Sequence, residues 1–199
     1  AGAKLVLPGA GLDGASLYEL IDQEGVDLLL GVPTVWQGLL QYCEKEQKTL
    51  SSVQDVVIGG SAAPLSMIKA FQEIHEVFVI HAWGMTELSP LGTVNGKSRY
   101  LLSLPKEERY ALQTKQGRPV FGIQMRIVGP NGESLAHDGE SFGRLMVKGS
   151  WVASHYYKSP TSESSWRDGW FDTGDVATID AQGYMNIVDR AKDVIKSGG

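Results

Sequence analysis

Cysteine is almost missing from this sequence. Cys43 is the only one, which excludes an internal disulfide and a cysteine-based metal cluster and fits a reducing, cytoplasmic setting. An excess of positive charge is missing too: 23 acidic residues face 18 basic ones, for a formal net charge of −5. Lysine and arginine are scattered rather than striped, so there is no basic field for phosphate backbones, and no nucleic-acid partner is expected. The longest apolar run, residues 26–35, is interrupted by Asp27, Gly31 and Pro33. It falls far short of the roughly twenty residues that span a bilayer, so no transmembrane segment is expected. No charged stretch followed by an apolar one opens the chain as a secretory signal would. No two of the four histidines have the helical spacing of a zinc site, and His75, His137 and His155 read as packing or surface residues. Internal repeats and low-complexity stretches are absent.

What remains is a chain of 199 residues, 42% hydrophobic and 21% charged, enough for one large core or two modest ones. Residues 1 to about 95 alternate short apolar runs with helical patterns, the signature of strands joined by helices. Lys4 to Leu7 reads as a strand. Ser16-x-x-Glu19 reads as a capping box opening a helix with Leu17, Leu20 and Ile21 on one face and Gly25 as its C-terminal cap. Leu28 to Val32 reads as a buried strand. Thr34-x-x-Gln37 is a second capping box, and Trp36, Leu39, Leu40 and Cys43 follow at the spacing of one helical face. Asp55 to Ile58 makes a third strand. Met67, Ala70, Phe71 and Ile74 repeat the helical spacing, and Val77 to Ile80 makes a fourth strand.

Residues 96–116 are polar and form a connecting segment, with a short surface helix around Lys106 to Arg109. From Gly117 the grammar changes to strands and turns: Gln124 to Val128, the Pro130-Asn131-Gly132 hairpin turn, Gly143 to Lys148, Ala177 to Asp180, the Ala181-Gln182-Gly183 turn and Tyr184 to Val188. The expected fold class is α/β, with an α/β subdomain over 1–95 and a β-rich, barrel-like subdomain over 117–199.

Three stretches carry chemistry. In Trp83-Gly84-Met85-Thr86-Glu87 a glycine lets backbone approach a ligand, an indole offers a stacking face, and a hydroxyl beside a carboxylate suits a phosphate oxygen and a hard cation. The bland alternative is a strand-end turn with a core tryptophan and a solvated glutamate. In Trp170-Phe171-Asp172-Thr173-Gly174-Asp175, a carboxylate after a glycine turn can accept both hydroxyls of a ribose; the alternative is a β-turn Asp bonding its own backbone. In Asp189-Arg190-Ala191-Lys192-Asp193-Val194-Ile195-Lys196-Ser197-Gly198-Gly199, the planar fork of Arg190 suits ribose and phosphate; the alternative is a charged, solvated turn.

Taken together, these stretches resemble the nucleotide-handling motifs of the adenylate-forming enzymes, the superfamily of acyl-CoA synthetases, firefly luciferase and peptide-synthetase adenylation domains. The wording is nearest to fatty-acyl-CoA ligases of the medium- to long-chain type. The resemblance implies that Trp83 stacks on adenine, with Gly84 beside it, that Thr86 contacts the α-phosphate and that Glu87 binds Mg²⁺. It places the loop Gly59-Gly60-Ser61-Ala62-Ala63-Pro64 against the adenine through Gly60, Ser61 and Ala62, and His81 where relatives hydrogen-bond the purine. It gives Asp175 the ribose, Arg190 the ribose and phosphate, and Lys192 the hinge about which a C-terminal domain turns between half-reactions. Val32-Pro33-Thr34-Val35-Trp36 would lie near the acyl pocket, apolar as a hydrocarbon tail requires; core packing explains those residues equally well. The adenine and ribose motifs are expected to converge.

The implied reaction joins a carboxylic acid, ATP and CoA, with Mg²⁺: acyl-AMP forms, then CoA displaces AMP. Alternatives are an adenylation domain that loads a carrier protein and a non-catalytic nucleotide-binding module. The chain opens at Ala1-Gly2-Ala3 without methionine and stops in a strongly patterned region, so it reads as an internal fragment. It has neither a Ser/Thr/Gly-rich phosphate loop nor a C-terminal lysine-bearing domain. Lacking that positive charge at the developing phosphorane, the fragment alone is expected to be nearly inactive.

Overall fold

The computed structural model describes residues 2–159 and 165–190, which fall into two compact units. Of the described residues, 2–81 and 96–114 make the first, and 82–95, 115–159 and 165–190 the second.

In the first unit, α1 (Gly14–Glu24) begins at Asp13, whose Oδ1 accepts the Ser16 N–H at 3.0 Å and whose Oδ2 accepts the Ser16 hydroxyl at 2.7 Å. The cap is therefore Asp13 and not the predicted Ser16: both residue types cap well, and the helix takes the earlier start. A packing constraint accompanies that start, since a Cβ on Gly14 would lie 2.4 Å from the Gly38 carbonyl oxygen on the next helix. Asp13→Ala should cost about 1 kcal/mol, the usual worth of an N-cap, read as a fall in thermal stability with helix content otherwise kept. Gly25 ends α1 in the left-handed region, φ 60°, as predicted.

The strand β1 (Leu28–Gly31) leads into α2 (Pro33–Lys45), which starts at Pro33 with no side-chain cap. Proline presets the helical φ and has no N–H to satisfy there, so the Thr34 capping box is not used. Trp36, Leu39 and Cys43 are buried on one face. The strand β2 (Asp55–Ile58) matches its prediction. It is followed by α3 (Leu65–Lys69), continued by a π-helical turn over Ala70–Ile74, and by β3 (Phe78–Gly84). Strand β3 runs on past the predicted Ile80 and carries Trp83 and Gly84 inside it. Strands β1, β2 and β3 are parallel, with Leu29 beside Val56 and Val56 beside Val79.

These three residues share a core with Leu39, Ile58, Ile68, Phe71 and Tyr110. Leu28 and Leu30 point the other way and are 45% and 68% exposed, so β1 is half-buried rather than buried. Lys4 to Leu7 forms no strand: no described strand pairs with it, and Leu5 and Leu7 are exposed. Two short helices, α4 (Arg99–Ser103) and α5 (Lys106–Gln113), complete the unit. The second is not a pure surface helix, because Tyr110, Leu112 and Gln113 are buried.

In the second unit, β4 (Leu91–Asn95) pairs antiparallel with the two-residue β5 (Arg118–Pro119). A four-stranded antiparallel sheet follows in the order β10-β9-β7-β6: β6 (Ile123–Val128), β7 (Phe142–Gly149), β9 (Trp170–Ile179) and β10 (Met185–Arg190), with β8 (Trp166–Arg167) paired to β9. The turn at Pro130-Asn131-Gly132 closes through Gly132 N–H to the Gly129 carbonyl at 3.0 Å. A second turn precedes β7, in which Asp138 accepts the backbone N–H groups of Glu140 and Ser141. Those bonds favour the ionised carboxylate and hold its pKa down to about 2.

The largest departure from the sequence reading is β9, a single strand where only Ala177 to Asp180 was predicted. Its middle bulges: Arg144 lies opposite Val176 and Met146 opposite Asp172, so two extra residues are accommodated around Gly174, φ 74°. The core holds Leu88, Ile127, Leu145, Val147, Phe171, Ala177, Ile179 and Met185. No helix among the described residues is long and apolar enough to cross a membrane.

Candidate nucleotide-handling residues

In the first unit the loop after β2 turns at Gly60, φ 79°, and exposes Ser61 and Ala62 while burying Ala63. His81 is 1% exposed, and its ring explains the loop's position. The Ala63 N–H donates to Nε2 at 3.3 Å, and Nδ1 lies 3.2 Å from the Gln113 carbonyl. A carbonyl only accepts, so Nδ1 carries the proton and Nε2 the lone pair. His81 thus ties the loop to α5. Gln113 extends the tie, donating from Nε2 to the Val79 carbonyl at 2.9 Å and to Gln72 Oε1 at 2.8 Å. Sequence reasoning missed Gln113, a polar residue closing a charged helix. Val32, just before α2, is 42% exposed, while Trp36 is buried.

In the second unit, Trp83 Nε1–H donates to Asp175 Oδ2 at 3.2 Å across 92 residues of sequence. The two motifs expected to converge do so. Trp83 is only 9% exposed and Asp175 4%. Asp175 sits within the strand β9, in the bulged stretch between Asp172 and Val176, and not in a turn; its N–H bonds Thr173 Oγ1. Gly84 is required by packing: a Cβ there would lie 1.9 Å from the Pro90 carbonyl oxygen. Arg190 ends β10, its backbone opposite Asp175 in register. Lys192 lies outside the described residues.

A 3₁₀ turn over Thr86–Leu88 presents Thr86 to solvent and leaves Glu87 half-buried. The segment after β7 lies against it. The Glu87 carbonyl accepts the Ala153 N–H at 2.8 Å, Ser89 Oγ donates to the Trp151 carbonyl at 3.2 Å, and the Tyr156 hydroxyl donates to Glu87 Oε1 at 2.6 Å. Holding that proton against a carboxylate pushes the Tyr156 phenol up to about 12. The Tyr156 ring packs edge-on against Trp166 at 5.2 Å, and Trp166 Nε1–H bonds the Ala153 carbonyl at 2.7 Å. Sequence reasoning missed Tyr156 as well; it stands 69 residues from its partner in a stretch without periodicity.

The described residues hold no cluster of three or more histidine, cysteine or acidic side chains able to enclose a metal. One carboxylate beside an exposed hydroxyl suits a cation that keeps water and takes its other ligands from phosphate oxygens, as Mg²⁺ does.

Residues 1–157 match the family described as AMP-binding enzyme. Over its whole length the chain is 54% identical to a medium-chain-fatty-acid–CoA ligase of Ectopseudomonas oleovorans, spanning 36% of that protein. It is 52% identical to a 3-methylmercaptopropionyl-CoA ligase of Ruegeria lacuscaerulensis, again over 36% of the relative. A long-chain-fatty-acid–CoA ligase of Thermus thermophilus is 43% identical, with 37% of its length covered. The chain thus spans little more than a third of the curated relatives it matches. Among solved structures, an anthranilate CoA ligase in complex with anthranoyl-AMP superposes with a TM-score of 0.80 at 24% identity, covering 98% of this chain and 35% of that one. The O-succinylbenzoate CoA synthetase of Bacillus subtilis, in complex with ATP and magnesium, gives 0.77 at 26% identity, covering 94% and 36%. Motifs, α/β and β-rich layers and these likenesses agree: the chain belongs to the AMP-binding enzyme family and has the fold of part of the large N-terminal domain of adenylate-forming enzymes.

Proposed function

We propose that this chain carries the nucleotide-handling part of an ATP-dependent acyl-CoA ligase acting on an aliphatic carboxylic acid. The observation that supports it most is the hydrogen bond from Trp83 Nε1 to Asp175 Oδ2, which brings an adenine-type motif and a ribose-type motif to one place. The names of the relatives at 54% and 52% identity, a medium-chain fatty acid and 3-methylmercaptopropionate, favour an aliphatic acid. In the reaction an oxygen of the acid attacks the α-phosphorus of ATP, the bond to the β-phosphate oxygen breaks, and pyrophosphate leaves. The CoA sulfur then attacks the acyl carbon, AMP leaves, and the thiol proton passes to solvent or base.

In this reading Trp83 borders the adenine, and Gly60, Ser61 and Ala62 meet it with small side chains, held in place by His81. Gly84 keeps the turn after β3 tight enough to present Thr86 to the α-phosphate. Asp175 accepts the ribose hydroxyls, Arg190 donates to ribose and phosphate, and Lys192 serves as the hinge. Glu87 holds Mg²⁺, which when bound offsets negative charge on the phosphates.

Glu87→Gln tests this in a protein of full family length carrying this sequence. A neutral amide binds a hard cation far less well than a carboxylate. The Mg²⁺ concentration needed for half-maximal ATP–pyrophosphate exchange should rise about tenfold, equivalent to roughly 1.4 kcal/mol, with the thermal transition retained. An unchanged Mg²⁺ requirement would remove Glu87 from this role.

A further inference from the structure

We propose that Tyr156 is a specificity-determining residue for the cation at Glu87, holding one oxygen of that carboxylate in a hydrogen bond that competes with two-oxygen coordination and so favouring Mg²⁺ over Ca²⁺. The proposal rests on the reading of Glu87 as the cation's carboxylate.

A carboxylate can hold a cation through one oxygen or through both. Here Oε1 accepts the Tyr156 hydroxyl at 2.6 Å, within the short range of bonds to an ionised oxygen. No described residue bonds Oε2. The phenol is itself fixed: its ring packs on Trp166, which is anchored through Nε1 to the Ala153 carbonyl and lies against Phe171 at 4.7 Å. Residue 153 also bonds back to Glu87, its N–H donating to the Glu87 carbonyl. The donor and the carboxylate are therefore held by one connected set of contacts.

The two cations respond differently to this. Mg²⁺ takes near-ideal octahedral geometry at about 2.0–2.1 Å and keeps several waters, so a single carboxylate oxygen serves it well. Ca²⁺ takes roughly six to eight oxygens at about 2.3–2.6 Å and often engages a carboxylate through both oxygens. The phenol proton takes one lone pair of Oε1, so coordination of Ca²⁺ through both oxygens competes with that bond, whereas coordination of Mg²⁺ through Oε2 alone does not. The hydroxyl adjacent to the site, Thr86, is exposed and offers a compact cation no obstacle.

The experiment uses a protein of full family length carrying this sequence, saturated with a non-hydrolysable ATP analogue and loaded with Mn²⁺, whose bound signal is followed by electron paramagnetic resonance. Mg²⁺ and Ca²⁺ are then titrated as displacers, and the ratio of their displacement constants is compared between variants, so that the nucleotide's own preference cancels. In Tyr156→Phe, which keeps the ring on Trp166 and loses only the hydroxyl, the preference for Mg²⁺ should narrow about fivefold, chiefly through tighter Ca²⁺. Tyr156→Leu also lacks the donor and should narrow it in the same direction, which keeps the test open if either variant folds poorly. An unchanged ratio in a folded variant overturns the proposal. Glu87→Gln separates this from failure of the underlying reading: if it leaves Mn²⁺ binding intact, Glu87 is not the ligand and both fall. If it abolishes binding while Tyr156→Phe leaves the ratio unchanged, only the role of Tyr156 falls.

Discussion

In a protein of full family length carrying this sequence, Asp175→Ala should lower ATP–pyrophosphate exchange at subsaturating ATP about a hundredfold, the largest functional loss expected from any single change in the second unit. Two causes combine. In the proposed reading the ribose loses an ionised acceptor for its hydroxyls, and bonds to charged groups contribute about 1.5–3 kcal/mol each; a hundredfold loss corresponds to roughly 2.7 kcal/mol. Trp83 Nε1–H also loses the acceptor it uses now, and a buried donor left unsatisfied costs about 1–3 kcal/mol of stability. Asp175→Asn separates the two, because its amide oxygen can still accept from the indole while the charge is gone. It should keep most of the thermal stability and still lose about tenfold in exchange. A fall in melting temperature for Asp175→Ala with undiminished exchange would leave Asp175 a packing residue only.

Gly84→Ala should be the most destabilising of the substitutions considered for its size, about 3 kcal/mol, at the upper end of overpacking costs. For a protein of this length that is a fall of about 10 °C in the unfolding midpoint, at roughly 2–4 °C per kcal/mol. The added Cβ would sit 1.9 Å from the Pro90 oxygen and 2.9 Å from its carbonyl carbon. Both are backbone atoms, and the same oxygen accepts the Met85 N–H at 2.8 Å, so no side chain can move aside. Gly38→Ala is the matched control, with nothing within 4 Å of the new methyl. Inside α2 it should stabilise by about 0.5–1 kcal/mol through helix propensity. A midpoint for Gly84→Ala within a degree of the unmodified protein would mean that the turn after β3 is looser than its geometry.

Features set by local chemistry were legible in the sequence. The strand β2 was read to the residue, and the Trp36, Leu39, Cys43 face of α2 followed from period alone. The Gly25 cap was read from the residue type, since glycine enters the left-handed region without a Cβ penalty. Where two neighbouring residues satisfied the same local rule, the rule could not choose. Asp13 and Ser16 both make good N-caps, and the structure uses the first. Strands β5 and β8, of two residues each, carry no period to detect. Gly84 was read as making room for a ligand because sequence shows that space is needed and not for what; the claimant here is Pro90. Convergence of Trp83 with Asp175 was expected only through the resemblance. The bonds from Tyr156 to Glu87 and from Gln113 to Val79 join residues 69 and 34 apart, and pairings of that range leave no local trace.

The bulge in β9 bears on how this region can change in length. Along β9 the odd-numbered side chains Phe171, Thr173, Asp175, Ala177 and Ile179 are all buried, and they stay in phase across the irregularity because the surplus is two residues, an even number. An insertion or deletion of one residue here would reverse inside and outside for everything beyond it, turning Ala177 and Ile179 to solvent. A change of two would leave the downstream phase intact and alter only how far Asp175 stands off its neighbours. Length changes in pairs keep the phase of β9 against β7, whereas a single residue has to be absorbed by a further irregularity, as β10 does between Ile187 and Asp189.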